Sequence, residues 1–292
     1  MLMRNCRHFT VVAPGPSGAV RAISCLLLVT LTLWLSGCQT RQARQGSHEA
    51  LSAVLWAQTS AEYAASTLQA YRLAAVNLDL ALADPHWTAA LEQRDAYTGL
   101  PPAVVIDLDQ TVLDTSRYNA GIILEFGGHS NRRFAEWCRD STAPAIPGAK
   151  GFLDHAVEQG VTVIYISARA EASRDCTTKN LQALGLPRAG QQHLLLNDGT
   201  PSTRKTLQRA RVAAQYRVLL LVGDDLNDFV TGAKSDPDTR RALLNAHAGR
   251  WGREWIVLPN PMFGSWEASL YGFDHSLLRD ERLHRVLPQL QR

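Results

Sequence analysis

"VVIDLDQTVLD", from Val104 to Asp114, is the stretch of the sequence that decides the fold. Its first residues are apolar and β-branched, which is typical of a strand buried on both faces of a sheet. Asp107 and Asp109 follow directly, and two carboxylates this close repel each other unless a cation or a substrate uses their charge. An aspartate can instead cap a turn, but such caps are usually single. The pair therefore predicts a functional site at the end of a buried strand.

Similar apolar runs recur along the chain, with helical stretches between them. The runs are "AVVID", "VTVIYIS", "HLLLN", "VLLLVG" and "WIVLP", and the helical stretches are Pro147–Gln159, Ala172–Leu184 and Ser202–Gln215. Strands that alternate with helices favour an α/β fold, a parallel sheet with helices on both faces. In such sheets, ligands bind at the carboxyl ends of the strands.

A helical N-terminal segment is expected before the sheet, at residues 50–98. Thr59 begins a capping-box pattern at the start of its long helix, and Pro85 ends that helix. We expect residues 50–292 to form a single domain, with the α/β core at about 100–267.

The first 37 residues are typical of an export signal. Arginines precede the uncharged run "AISCLLLVTLTLWL", which is shorter than the roughly 20 residues of a membrane span and suits a signal peptide. "LSGC", ending at Cys38, resembles the lipobox of bacterial lipoproteins, which implies cleavage before Cys38 and lipid on its sulfur. Gln39 after that cysteine implies export to the outer membrane, on its periplasmic or surface face, with residues 38–49 as a tether. An uncleaved anchor or a plain secretory signal is the alternative.

The excess of basic residues belongs to this signal. The chain has a formal charge of +3, and removing residues 1–37 takes away three arginines and no acid, which leaves a neutral domain. No basic tract follows, so we expect no nucleic acid polymer among the partners. Cys138 and Cys176 remain in the domain, and they could pair in an oxidising compartment, but the sequence does not place them within bonding distance.

Polar side chains also follow two other predicted strands. Ser167 ends the second run, "GDDLNDF" with Asp224 and Asp228 ends the fourth, and Lys205 lies between them near the start of a helix. The intervening Asp225 is expected to point elsewhere. A carboxylate can attack phosphorus, and a second one can protonate the departing alkoxide. Carboxylates also bind Mg²⁺, and a hydroxyl and an ammonium can hold phosphate oxygens, so the set predicts phosphoryl transfer.

These motifs resemble those of a known superfamily. "DLDQT", Ser167, Lys205 and "GDDLND", in this order, are similar to the four motifs of the haloacid dehalogenase-like superfamily. "IPGAKGF", "YISAR" and "LPNPMFGSWE" narrow the resemblance to the class C acid phosphatases, which are secreted, lipoprotein-type, nonspecific enzymes. The resemblance covers the chain from about Gln58 to Glu267. It implies a Rossmann-like core with a small cap, here within residues 115–147.

The resemblance also implies a role for each site residue. Asp107 would be the nucleophile and Asp109 the acid/base. The implied Mg²⁺ ligands are Asp107, the backbone carbonyl of Asp109, Asp224 and, through water or a hydrogen bond, Asp228. The other implied roles are support of the first loop (Thr111), phosphate binding (Ser167, Lys205) and ring stacking on the substrate (Phe134, Phe263).

Two positions depart from the family pattern, and some assignments have rivals. Gln110 stands where family members commonly have Glu, and Ala168 stands where they often have Asn. Neither position carries chemistry, but Ala168 removes a polar contact near the phosphate and leaves the substrate preference open. Arg204 is an adjacent rival to Lys205 for the cationic role. The two phenylalanines could also be ordinary core residues.

The predicted function is that of an Mg²⁺-dependent acid phosphatase that hydrolyses phosphate monoesters through an aspartyl-phosphate. The resemblance implies 5′-nucleotides and aryl phosphates as substrates, and hence 5′-nucleotidase activity. The alternatives are a catalytically silent, surface-binding lipoprotein on a phosphatase fold and another phosphotransferase of the superfamily. Asp109 argues against a dehalogenase or an ATPase, and Ser116–Pro147 is small for the cap of a mutase. The sequence does not fix the oligomeric state, and it is compatible with a homodimer.

Overall fold

The computed structural model describes residues 49–94, 96–125, 127–187, 190–199 and 204–291. The predicted signal peptide at 1–37, the lipidation site Cys38 and the tether up to residue 48 lie outside these residues. Within the described ranges, none of the helices combines the length and the apolar character that crossing a membrane requires.

Five parallel strands of the described residues form one sheet in the order β3-β2-β1-β4-β5. They are β1 (Pro102–Ile106), β2 (Thr162–Ala170), β3 (Leu194–Asn197), β4 (Arg217–Gly223) and β5 (Trp255–Val257). β1 is central, and its Val105 pairs with Ile164 of β2 and with Leu221 of β4. Every residue of β4 is buried, as expected for a strand covered on both faces. The predicted α/β fold is confirmed.

Helices cover both faces of the sheet. The helices of the described residues are α1 (Leu51–Thr59), α2 (Ala61–Ala83), α3 (Ser116–Leu124), α4 (Asn131–Cys138), α5 (Ala149–Glu158), α6 (Arg174–Ala183), α7 (Arg204–Ala213), α8 (Pro237–Ala246), α9 (Ser265–Leu270) and α10 (Arg279–Val286), and some of them pack on each face. Along β1, Val104 and Ile106 join a core cluster with α2 and α5, whereas Ala103 and Val105 join a second cluster with α7. This alternation follows from the two-residue period of a strand.

The N-terminal segment contains two helices where the sequence predicts one long one. Ser60 separates α1 from α2 and is the N-cap of α2, because its hydroxyl accepts a hydrogen bond from Tyr63 N at 3.0 Å. The expected cap, Thr59, instead donates to the carbonyl of Leu55 at 2.7 Å and belongs to α1. The predicted cap is therefore wrong by one residue.

The long helix ends at Ala83, just before Pro85, as the sequence predicts, and the described residues from there to residue 98 contain no further helix. The chain then runs irregularly across β4, where the indole N–H of Trp87 donates to the carbonyl of Leu219 at 2.8 Å. In this stretch, hydrogen bonds to β4 replace the hydrogen bonds that a helix would form.

A small cap, α3 and α4, occupies the stretch between β1 and α5. Four of its rings form a cluster: Tyr118, His129, Phe134 and Trp137. A disulfide between Cys138 and Cys176, with Cα atoms 5.7 Å apart, joins the end of α4 to α6. The pairing that the sequence left open is therefore present.

Candidate active site

Three aspartates meet at the carboxyl edge of the sheet. Asp107 follows β1, Asp224 follows β4, and a short 3-10 turn brings Asp228 beside them. One carboxylate oxygen from each lies within 4.8 Å of the other two. Gly223 permits this approach, because a Cβ at that position would collide with the carboxyl group of Asp228.

Lys205, in the first turn of α7, supplies positive charge to this cluster. Its buried Nζ donates hydrogen bonds to Asp107 Oδ1 at 2.6 Å and to Asp228 Oδ1. The ammonium pairs with two of the three carboxyl groups, so the ionised cluster keeps an excess of negative charge. Hard carboxylate oxygens with such an excess fit a divalent cation.

The pKa values of the cluster reflect burial and mutual repulsion. Burial raises the pKa of Asp107 to about 7; Lys205 opposes this rise, and Asp228 and Asp109 add to it. Burial, followed by the charges of Asp107 and Asp228, also raises the pKa of Asp224 well above its usual range. Burial alone would lower the pKa of Lys205, but its two aspartates raise it. Clustered carboxyl groups with such shifts are typical of active sites.

Two neutral side chains orient the carboxylate of Asp224. Thr111 Oγ1 donates to Oδ1 at 3.0 Å, and Asn260 Nδ2 donates to Oδ2 at 2.7 Å. Thr111 thus links the loop after β1 to the loop after β4, which agrees with its predicted supporting role.

Asp109 lies on the cap side of the same edge and pairs with Arg169. The guanidinium contacts both carboxylate oxygens, with Nε 3.1 Å from each and Nη2 2.7 Å from Oδ1. The Arg169 side chain is 1% exposed and that of Asp109 is 19% exposed. The pair therefore closes the inner side of Asp109 and leaves its outer side accessible.

The loop that carries both aspartates rests on α2. Gln110 has a φ of 58° and is buried. Its Oε1 accepts from Thr115 N at 2.7 Å, and its Nε2 donates to the hydroxyl of Tyr63 at 2.9 Å. Tyr71 donates to the carbonyl of Thr111 at 2.5 Å. The amide at position 110 therefore has partners for both ends, so this departure from the family pattern is structurally satisfied.

One protein family matches most of the sequence. It is described as HAD superfamily, subfamily IIIB (acid phosphatase), and the match covers residues 30–266. This chain belongs to that family. The fold is also similar to that of the class C acid phosphatase from Bacillus anthracis, with 31% sequence identity, a TM-score of 0.75, and coverage of 84% of this chain and 97% of that chain. The class C acid phosphatase from Bacillus anthracis with tungstate bound is similar as well, with 30% sequence identity, a TM-score of 0.74, and coverage of 84% of this chain and 97% of that chain. The enzyme is thus a phosphomonoester hydrolase.

The residues predicted to bind the phosphate or stack on the substrate lie in β2, in the cap and next to the core. Ser167 is buried in β2, and its Oγ accepts from the backbone N of Arg169 at 3.1 Å. Phe134 lies in the cap beneath the Arg169 guanidinium, whose Cζ is 5.1 Å from the ring centre. Phe263 is half-buried and packs against the main core cluster, which fits the alternative that it is an ordinary core residue. The side chain of the rival Arg204 lies outside the described part of the structure.

Asp225 and Asp228, which are close in sequence, have separate functions. Asp225 accepts from Asn227 N at 2.9 Å and from both the backbone and the hydroxyl of Ser265, so it caps a turn and ties α9 to the site. Asp228 belongs to the acid cluster, and its Oδ2 accepts from the backbone N of Asp225 at 3.0 Å. The expectation that Asp225 points elsewhere is met.

Three residues at the site carry no assignment from the sequence: Arg169, Arg209 and Asn260. Arg209 Nη1 donates to the carbonyls of Asn227 and Asp228, each at 3.0 Å, and so fixes the turn that carries Asp228. It lies one helical turn after Lys205, a spacing that places both on one face of α7. Arg169 follows Ser167 by two residues, a spacing that in a strand indicates a shared face.

Proposed function

We propose that this phosphatase hydrolyses phosphate monoesters through a phosphorylated Asp107. The observation that carries the proposal is the different pairing of two aspartates in one loop: Lys205 contacts Asp107, and Arg169 contacts Asp109. Asp107 lies within the acid cluster and Asp109 lies beside the cap. This separation suits a nucleophile and an acid/base that act on opposite sides of the phosphorus.

The proposed reaction has two steps. A carboxylate oxygen of Asp107 attacks phosphorus, the bond to the ester oxygen breaks, and Asp109 gives its proton to the departing oxygen. Water then attacks the phosphorus of the aspartyl-phosphate, Asp109 takes a proton from that water, and inorganic phosphate leaves while the Asp107 carboxylate is restored. Ser167 and Lys205 are the groups that we assign to the phosphate oxygens.

Mg²⁺ is the cation that we propose for the acid cluster. Asp107 and Asp224, the backbone carbonyl of Asp109 and, through water or a hydrogen bond, Asp228 would hold it. When bound, the ion supplies positive charge to the phosphate oxygens and relieves the repulsion among the carboxylates. The geometry of the cluster supports this assignment, since carboxylate oxygens of Asp107, Asp224 and Asp228 lie within 4.8 Å of one another.

Aryl phosphates and 5′-nucleotides are the substrates that we propose. The aromatic cluster of the cap, which includes Tyr118 and Phe134, lies beside the guanidinium that holds Asp109. Aromatic side chains stack on bases and aryl rings with little preference among them. Tungstate, which one of the Bacillus anthracis structures contains, is a tetrahedral oxyanion like phosphate.

We also propose that the enzyme is exported and anchored to the outer membrane by lipid on Cys38. The signal-like run and the lipobox-like "LSGC" support this location. The Cys138–Cys176 disulfide is consistent with it, because disulfides persist in oxidising compartments.

The proposal is tested by the release of p-nitrophenol from p-nitrophenyl phosphate. We expect activity with Mg²⁺, loss of activity with EDTA and recovery on readdition of Mg²⁺. Asp107→Asn should lose at least about 10⁴-fold in kcat, because the nucleophile is removed. Asp154→Asn, which removes an exposed carboxylate on α5 that pairs with Lys150, is the matched control and should retain activity. Activity that survives in Asp107→Asn would disprove the mechanism, and an inactive wild type would favour a binding protein.

A further inference from the structure

We propose that Arg169 is a positioning residue for Asp109. It fixes the carboxyl group of Asp109 in the orientation from which the proton reaches the departing ester oxygen. This inference rests on the acid/base role assigned to Asp109 above. It adds a residue that none of the sequence motifs assigned.

The contact between the two side chains determines both position and rotation. Nε of Arg169 lies 3.1 Å from each carboxylate oxygen of Asp109, and Nη2 lies 2.7 Å from Oδ1. A planar guanidinium that contacts both oxygens of a carboxylate restricts its plane as well as its distance. A lysine at this position would provide charge without that restriction.

The guanidinium is itself held from several sides. Nη1 donates to Thr177 Oγ1 of α6 at 2.9 Å, and Cys138 Sγ at the end of α4 lies 3.9 Å from the same nitrogen. The ring of Phe134, one turn earlier in α4, lies beneath the guanidinium at 5.1 Å. The Cys138–Cys176 disulfide joins these two helices, so the groups around Arg169 belong to one cross-linked unit.

These contacts favour positioning over direct binding of the substrate. Nε and Nη2 face Asp109 and Nη1 faces Thr177, so all three nitrogens have partners within the protein. The side chain of Arg169 is 1% exposed, whereas that of Asp109 is 19% exposed and is the more accessible of the two. Arg169 therefore acts on the reaction through Asp109.

A role through the general acid has a signature that a merely structural role lacks. Aryl phosphates with a nitro group release a stable phenolate and need little help from an acid, whereas alkyl phosphates release an alkoxide and depend on protonation. Misplacing Asp109 should therefore impair kcat/KM for alkyl phosphates much more than for p-nitrophenyl phosphate.

The first experiment compares Arg169→Met, Arg169→Lys and Arg217→Met on both substrates. Arg169→Met should reduce kcat/KM by about 10-fold for p-nitrophenyl phosphate and by about 10³-fold for an alkyl phosphate, within the usual range for a general acid. Arg169→Lys should recover part of the loss, selectively for the alkyl phosphate. Arg217 is also buried, but it donates to the carbonyl of Asp84 at the far edge of the sheet, so its replacement should leave the ratio of the two rates unchanged.

The second experiment is a double-mutant cycle with Asp109→Asn. If Arg169 acts through Asp109, Arg169→Met should cost less than about 3-fold in the Asp109→Asn background. Equal losses on both substrates, or a full loss in that background, would overturn the positioning role. If Arg169→Met does not fold, as judged by thermal unfolding, Arg169→Lys carries the same cycle. A failure of the underlying mechanism gives a different result, because wild-type activity would then persist in Asp107→Asn.

Discussion

The two sides of the carboxyl edge treat chemically identical side chains in opposite ways. On the inner side, the acid cluster comprises Asp107, Asp224 and Asp228, and the ammonium of Lys205 pairs with the first and the last of them. On the cap side, Asp109 has a guanidinium to itself. The loop changes sides within a few residues, because the carbonyl of Leu108 accepts from three following backbone N–H groups in a tight turn. Two aspartates of one motif thus have different cationic partners, which fits the different roles that we propose for them.

Removing the ammonium should have the largest effect on the inner side. Lys205→Met leaves buried carboxyl groups without their partner, which is strongly destabilising to a charged cluster. We expect kcat/KM to fall by about 10³-fold with every phosphate ester, and metal-free protein to unfold at a lower temperature. Lys150→Met, which removes an exposed lysine that pairs with Asp154, is the control. A loss below about 10-fold would show that Lys205 is not needed to balance the acids.

The inner side should also make the metal-free protein sensitive to pH. The folded-state pKa of Asp107 is about 7 and its ordinary value is 3.8, so the folded protein binds this proton more tightly than the unfolded chain does. The resulting stability is present below pH about 4 and is lost as the pH rises to about 7, by up to about 4 kcal/mol. Urea unfolding in EDTA across this range measures the loss, and Mg²⁺ should remove it. A wild-type slope no steeper than that of Asp107→Asn would contradict the assignment.

Breaking the disulfide should affect the cap side alone. The double variant Cys138→Ser/Cys176→Ser frees α4 from α6, and we expect a loss of about 3 kcal/mol in stability, typical of a native disulfide. Its kcat/KM should fall several-fold for alkyl phosphates, since Arg169 loses part of its support, while the affinity for Mg²⁺ stays unchanged. Isothermal titration with Mg²⁺ and rates with both ester classes provide the check. A weakened Mg²⁺ affinity would show that the two sides are not independent.

Removing a contact between α2 and the loop after β1 should have the smallest effect on stability and activity. Tyr63→Phe leaves Nε2 of the buried Gln110 without its acceptor, which should cost about 1 kcal/mol in the free energy of unfolding. Because the acids keep their own partners, kcat should stay within about 3-fold of the wild type. Tyr97→Phe removes a hydroxyl that bonds to the carbonyl of His86 at an exposed position and should change neither quantity. A large loss of kcat in Tyr63→Phe would mean that α2 sets the geometry of the catalytic loop.

The sequence predicts the residues on the inner side of the site better than the contacts on its cap side. Asp107 and Asp224 end apolar runs, and the carboxyl ends of adjacent parallel strands must meet, so their proximity follows from the fold class. The spacing of Arg169 from Ser167 indicates a shared face of β2, but its pairing with Asp109 depends on where the loop after β1 lies. Asn260 lies in a loop, and its contact with Asp224 depends on the path of that loop. No period or spacing in the sequence encodes these two tertiary contacts.

Three other features of the fold depend on contacts that the local sequence does not specify. Thr59 and Ser60 are both good N-caps, and the choice between them depends on which residue leaves the helical conformation. The stretch from Pro85 to Leu100 takes its path from bonds to β4, which lies far away in sequence. The disulfide likewise depends on the packing of α4 against α6, which places two Cα atoms 5.7 Å apart across 38 residues.

A crystal structure with Mg²⁺ and beryllium trifluoride, a mimic of the phosphoryl group, tests the central claim most directly. The account predicts beryllium bonded to a carboxylate oxygen of Asp107, one cation between Asp107 and Asp224, and Asp109 still held by Arg169 beside the fluorides. Beryllium bonded to any other residue, or a cation bound away from these two aspartates, would contradict it.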